Sequence, residues 1–310
     1  MSEKKTRLGK KNWATILRWV GTLASSGLFI WLIQRQKWDV VLNKASDIAL
    51  WAVVLAIACY LLSYWFNTLR WCILLWAQQV KITIWQAYRL NWAGYFASQF
   101  LPSTIGGDGL RMLAVHPYTG SKTITIGSVV LDRIINMSAM ACMLPISLQV
   151  FGASLLGYLR AAQPGWMTAF WLPIRRLIEK FSPKFTAAFL AWRLQPQAFF
   201  FAFLAAWPSN LLPITATFLL ARQLGMNVSF WEVAGVQTIT YFLSVLPISV
   251  NGYGLREVAY TTLYTALGVS LEQASTLALV TRFLMIVCTV PGAIWLSSAV
   301  TYNFNLEDGA

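Results

Sequence analysis

The sequence predicts an all-α polytopic membrane protein with about seven to eight transmembrane helices. Three observations carry that prediction. Of the 310 residues, 57% are hydrophobic and only 11% charged, whereas soluble domains carry roughly 25% charged residues. A core in water cannot absorb that much apolar surface, so the excess must face lipid. Several windows also reach the ~20 apolar residues needed to cross a bilayer. Finally, the apolar runs are continuous rather than alternating, which argues against a membrane β-barrel.

The expected elements follow in order. The N-terminus, MSEKKTRLGKKNW, is basic and precedes an apolar run from Ala14 to Ile33. That run is long for a signal peptide. No small-residue cleavage site follows it; Gln34-Arg35-Gln36-Lys37 does. It is therefore expected to be an uncleaved first span with a cytoplasmic N-terminus. The second span runs from about Ile48 to Trp71 or a little beyond, with Arg70 near its end. The third, about Ile84 to Leu101, is the most polar, holding Arg89, Asn91 and Gln99. A broken segment, LPSTIGGDGLR (101–111), follows. The next span begins near Thr123 and contains Asp132-Arg133, and apolar sequence continues past Pro145 towards Trp171 with an interruption at Pro164-Gly165.

The stretch Pro173 to Arg193 mixes basic and large apolar side chains, as an amphipathic segment on an anionic leaflet would; an ordinary basic loop is the alternative. Further spans are expected at about Phe199–Leu220, Trp231–Leu246 and Ala274–Val300. The formal charge of +13 fits positive-inside loops and anionic lipid better than nucleic acid, for which no basic binding module is present. The four cysteines, Cys59, Cys72, Cys142 and Cys288, lie in apolar runs without CxxC spacing and read as small packed hydrophobes. With His116 as the single histidine, no histidine-based metal site is available. No metal and no cofactor is expected.

A second broken segment, LPISVNGYGLR (246–256), aligns without a gap on the first, 145 positions later. Leu101, Pro102, Gly107, Gly109, Leu110 and Arg111 match Leu246, Pro247, Gly252, Gly254, Leu255 and Arg256. Six identities in eleven columns of so specific a pattern indicate an internal repeat. The chain is thus expected to form one membrane domain over 1–310. A first repeat covers about 48–145, a linker with the basic segment about 173–195, and a second repeat about 199–300. The repeats are expected to be inverted. Paired Pro/Gly-interrupted apolar segments are the sequence pointer to a transporter's binding site.

The chemistry of these segments follows from their composition. Pro102 and Pro247 break a helix, and irregular backbone at membrane depth is tolerated only inside protein or along a wet cavity. The segments either cross or re-enter. A helix restarting at Leu110 or Leu255 would expose N–H groups that favour anions, and Arg111 or Arg256 in its first turn would add a phosphate-matched fork. The anion-binding set expected is Arg111, Arg256, Gly106, Gly107, Gly109, Gly252 and Gly254. Of eleven acidic residues, Asp108, Asp132, Glu232 and Glu257 fall in or beside these segments. Asp108, Asp132, Arg133, Glu257 and Arg282 form the expected intramembrane charged framework. Asp132 and Arg133 are adjacent, so on a helix they point about 100° apart and pair with other elements. We expect pairing across the halves: Asp108 or Asp132 with Arg256 or Arg282, and Glu257 with Arg111 or Arg133. Stapling of broken helices without any ligand is the alternative role. Neither glycine cluster is a P-loop, and no Ser-His-Asp set is available, so no catalytic residue is assigned.

These residues also carry a resemblance. Arg70-Trp71, LPSTIGGDGLR, Asp132-Arg133, PISVNGYGLRE at 247–257 and Thr281-Arg282 resemble, in order and spacing, the lysylphosphatidylglycerol synthase transmembrane region family, also called the flippase-like domain family. The resemblance implies a multi-pass protein of the cytoplasmic (inner) membrane. In multidomain relatives the region accompanies a soluble aminoacyl-transfer domain and is associated with moving aminoacylated lipid between leaflets; other relatives are linked to polyprenyl-lipid or hopanoid pathways. Because the chain ends at Ala310, a stand-alone member without the synthase domain is expected. Asn251 and Tyr253 depart from the family's GGLG-like form, and Asp132 replaces a glutamate. The leading expectation is a lipid flippase or transporter acting on phospho- or polyprenyl-phosphate lipids, with anionic membrane lipids as partners and transport favoured over catalysis. The alternatives are a membrane transferase using Asp108 or Glu257 as base, and a non-catalytic partner in an envelope-lipid biosynthetic complex.

Overall fold

A computed structural model describes residues 48–100, 104–151, 195–245 and 254–295. Its described residues form eight helices: α1 (Leu50–Ala77), α2 (Ile84–Phe100), α3 (Thr104–Thr119), α4 (Lys122–Ala141), α5 (Pro196–Gln223), α6 (Phe230–Val245), α7 (Leu255–Ala266) and α8 (Leu271–Thr289). The first expected span, the amphipathic stretch 173–193, Pro102, Pro247 and Gly252 lie outside the described residues.

The helices fall into two matching sets of four. Helices α1 and α5 have 28 residues each, α2 and α6 have 17 and 16, α3 and α7 have 16 and 12, and α4 and α8 have 20 and 19. The match extends to how the helices begin. At α2, Thr83 Oγ1 accepts from the Gln86 N–H (3.2 Å), while Gln86 Oε1 accepts from the Thr83 N–H (2.9 Å). At α6, Ser229 and Glu232 make the same reciprocal pair, at 3.2 and 2.6 Å. Both are capping boxes that satisfy otherwise orphaned N–H groups. This accounts for Glu232, which serves its own helix. Helices α4 and α8 likewise each start on a serine cap, Ser121 and Ser270. In the sequence a proline, Pro102 or Pro247, stands two positions after the last described residue of α2 and of α6.

Four helical stretches are long and apolar enough to cross a bilayer: Leu50–Ala77, Lys122–Phe151, Pro196–Gln223 and Leu271–Trp295. The expected spans near 84–101 and 231–246 are shorter than that. Their described helices, α2 and α6, begin at capping boxes and have 17 and 16 residues, below the ~20 a crossing needs. Large apolar side chains point outward, among them Leu50, Val54, Phe200, Leu204, Phe283 and Ile294. The interior holds charge. This inside-out arrangement suits lipid as solvent, and the chain is a multi-pass, all-α membrane protein.

The most extensive helix contact is between α1 and α5. Each presents small buried side chains at helical spacing, Ala52, Ala56, Cys59 and Ser63 on α1 and Ala202, Ala206 and Ser209 on α5. Small residues let membrane helices approach closely. Ser63 Oγ donates to the Ser209 carbonyl at 2.7 Å. The second close approach is between α2 and α3. A Cβ on Gly107 would sit 2.5 Å from the Gly94 carbonyl oxygen, and one on Gly94 would sit 2.6 Å from Arg111 Cγ. Cys59, Cys72 and Cys288 are buried as expected, whereas Cys142 is exposed, since it follows the last residue of α4.

Candidate functional site

Polar residues recur on one face of several apolar helices. On α1 they are Tyr60, Ser63, Tyr64, Asn67 and Arg70; on α6 they are Gln237, Thr240, Tyr241 and Ser244. Spacings of three and four place each set on a single face. These faces converge with parts of α2, α3, α4, α5, α7 and α8 on a cavity of about 370 Å³ between the two sets of helices. Five arginines line it, Arg70, Arg111, Arg133, Arg256 and Arg282, against two carboxylates, Asp108 and Asp132. The wall therefore carries an excess of three positive charges, or two when Glu257 behind Arg282 is counted.

The first-half charges are tightly organised. Asp132, only 3% exposed, accepts from Arg70 Nε at 2.6 Å and from Arg111 Nη2 at 3.3 Å. Arg111 also lies 3.5 Å from Asp108, one turn earlier on α3. Its guanidinium stands 4.4 Å from the centre of the Trp71 ring, a cation–π contact. Arg133 donates to the other oxygen of Asp108. Three arginines and two aspartates thus form one chain of ion pairs on α1, α3 and α4. Asp132 and Arg133 turn to different partners, as adjacent helical residues must.

The second half is organised differently. Glu257, 1% exposed, accepts from the Gly254 N–H at 2.8 Å and lies 3.6 Å from Arg282 Nε. One oxygen therefore caps α7, and the other faces Arg282. Gly254 itself has φ +78°, a conformation glycine adopts without strain. Arg256 points elsewhere. It lies 5.2 Å from the Tyr260 ring centre and contacts the Met285 sulfur. Among the described residues no carboxylate lies within ion-pair distance of it.

Two sequence expectations are corrected. Among the described residues charges pair within each half: Asp108 and Asp132 meet Arg70, Arg111 and Arg133, and Glu257 meets Arg282. The partners come from helices that pack directly on each other, α1 and α3 against α4, and α7 against α8. The first-half helix also does not restart at Leu110. It begins at Thr104 and includes Gly106, Gly107, Asp108 and Gly109, so Arg111 sits two turns in rather than in the first turn. Continuing the helix hydrogen-bonds backbone that would be costly to leave unpaired at depth. Gly107 then serves packing against Gly94, while a Cβ at Gly109 would meet open space. In the second half α7 does start at Leu255, with Arg256 in its first turn.

The halves are also hydrogen-bonded to each other through Arg70 and a network around Asn136. Its Oδ1 accepts from Arg70 Nη1 (2.7 Å) and Asn210 Nδ2 (3.1 Å), and its Nδ2 donates to the Tyr241 hydroxyl (3.0 Å). Arg70 Nη1 also donates to Ser209 Oγ at 3.2 Å. Sequence reasoning missed Asn136, Asn210, Ser209 and Tyr241, and left Arg70 without a role. The available signal was spacing: Asn136 is one helical turn after Asp132. Arg70 looked terminal only because α1 runs on to Ala77. No group of three His, Cys, Asp or Glu side chains among the described residues is arranged to hold a metal ion.

Neither a curated protein nor a solved structure matches the chain. A family model does, over residues 18–292, a range that takes in both matching sets of helices and every arginine of the cavity. The chain belongs to the family of the lysylphosphatidylglycerol synthase TM region.

Proposed function

We propose that the protein moves a phosphate-bearing lipid across the cytoplasmic membrane, with the headgroup passing through the cavity between the two sets of helices and the tails remaining in the bilayer. One observation carries this reading: a polar cavity of about 370 Å³ inside an apolar helix assembly, walled by five arginines and two aspartates. Uncompensated positive charge at membrane depth is costly, and an anionic headgroup would offset it. Guanidinium forks match phosphate oxygens in geometry and charge. Family membership supports a lipid-related role, and the basic N-terminus supports its placement in the cytoplasm.

Transport is favoured over group transfer by how the carboxylates are held. Asp108 and Asp132 are each gripped by two arginines, and Glu257 by a backbone N–H and Arg282. Carboxylate oxygens already engaged by these donors are poorly placed to take a proton from a substrate.

The test is reconstitution into liposomes carrying a headgroup-labelled anionic phospholipid, with a membrane-impermeant quencher reporting exchange between leaflets. Proteoliposomes are expected to exchange the anionic lipid faster than protein-free liposomes do. Equal rates for the two would overturn the reading.

A further inference from the structure

The two motif arginines are not equivalent. We infer that Arg256, together with the Thr240 hydroxyl, is the phosphate-binding pair of the cavity, and that Arg111 is a strut. The inference rests on the proposed reading that a phosphate-bearing headgroup enters this cavity, and it names which groups meet the phosphate.

Arg111 has its guanidinium committed. Two carboxylates and the face of Trp71 surround it, and adding a phosphate would bring a third anion onto a charge already neutralised. Arg256 lines the same cavity with no described carboxylate within ion-pair distance, and the neighbouring Glu257 that acts on its charge is itself engaged by the Gly254 N–H and Arg282. Its direct partners, the ring and hydroxyl of Tyr260 and the Met285 sulfur, are neutral and fewer than the five N–H donors of a guanidinium.

Thr240 provides an independent sign of a ligand. It is 3% exposed, lines the cavity, and its hydroxyl has no hydrogen-bond partner among the described residues. Buried hydroxyls are nearly always paired, so an unmatched one on a cavity wall marks where a ligand oxygen would sit. Thr240 lies one turn from Gln237 on α6. Gln237 accepts from the Tyr260 hydroxyl, and the Tyr260 ring is the face against which Arg256 lies.

The chemistry expected of the ligand is a phosphate mono- or diester, whether on a lipid or free. Purified full-length protein in neutral detergent would be titrated with dihexanoyl phosphatidic acid, dihexanoyl glycerol and inorganic phosphate, following binding calorimetrically and Tm separately. Wild type is expected to bind the phosphatidic acid and not the glycerol lipid. Arg256→Gln should weaken binding about tenfold or more, in line with a charged hydrogen bond, with Tm little changed. Arg256→Lys should retain part of the affinity, and Thr240→Val should weaken it a few-fold. Arg111→Gln should chiefly lower Tm, and its folded fraction should lose less affinity than Arg256→Gln does. Wild-type affinity in Arg256→Gln, or a larger binding loss in Arg111→Gln, overturns this assignment while leaving lipid transport standing. Inorganic phosphate binding as tightly as the lipid, still lost in Arg256→Gln, upholds the pair but assigns it to free phosphate and overturns the lipid reading. No binding of either phosphate compound by wild type overturns both.

Discussion

Arg111 and Arg256 hold matching places in matching motifs, yet the protein surrounds them with opposite chemistry. The sequence shows where they diverge once the halves are aligned on their helices. Asp108, a partner of Arg111, corresponds to Tyr253. Asp132, its other partner, corresponds to Thr281. Trp71, on whose face Arg111 lies, corresponds to Thr217 in the 28-residue helix of the second half. A repeat therefore conserves a framework while substitution at three positions turns one arginine into a structural ion and leaves the other facing a cavity. In the second half Glu257 stands against Arg282, and Arg256 has no described carboxylate within ion-pair distance.

The largest test of this contrast is Asp132→Asn. It removes the charge that Arg70 and Arg111 share and puts an NH2 donor where one of them needs an accepting oxygen, and loss of one member of a buried ion pair costs about 3–5 kcal/mol. A large fall in Tm is expected in detergent. Glu257→Gln should cost less, about 1–2 kcal/mol, because the amide oxygen can still cap Gly254 and Arg282 has further contacts. Equal losses for the two would mean that the second half is as locked as the first.

Two neighbouring glycines sharpen the same point. Gly107→Ala would push a methyl group into the Gly94 carbonyl, at a cost of about 1–3 kcal/mol, and would displace Arg111. Gly109→Ala meets open space and should stabilise α3 by up to about 1 kcal/mol through helix propensity. Thermal unfolding of the pair decides whether these glycines serve helix packing or backbone exposure. The smallest expected effects are at the capping boxes. Thr83→Ala and Ser229→Ala should each cost about 1 kcal/mol, and by nearly equal amounts if the two halves begin their short helices alike. A large difference between them would break the correspondence at its best-matched point.

Much of this architecture was readable beforehand. Four capping signals, TIWQ, SFWE and the serines at 121 and 270, stand in the sequence, as do the apolar runs that become the four long helices. The polar stripes of α1 and α6 were equally legible as spacing, although which faces would converge was not. Arg70 illustrates the limit. Its position near a presumed span end made it look peripheral, and only the full length of α1 set it at depth against Asp132 and Asn136. The start of α3 was misread because three glycines suggest a broken chain in water. Beside Gly94 they permit a continuous helix instead.

By itself the sequence determined the class of protein, the repeat and the inventory of buried charge, because hydropathy, helix-breaking residues and capping patterns act locally along the chain. The tertiary structure alone decided which charges meet. Ion pairing depends on which helices pack side by side, and α3–α4 and α7–α8 packing kept the pairs within each half. It also decided that Arg70 and the groups around Asn136 hydrogen-bond the halves together, and that Arg256 faces the cavity with no described carboxylate within ion-pair distance. Those outcomes depend on distances between segments far apart in the chain, which no local pattern encodes.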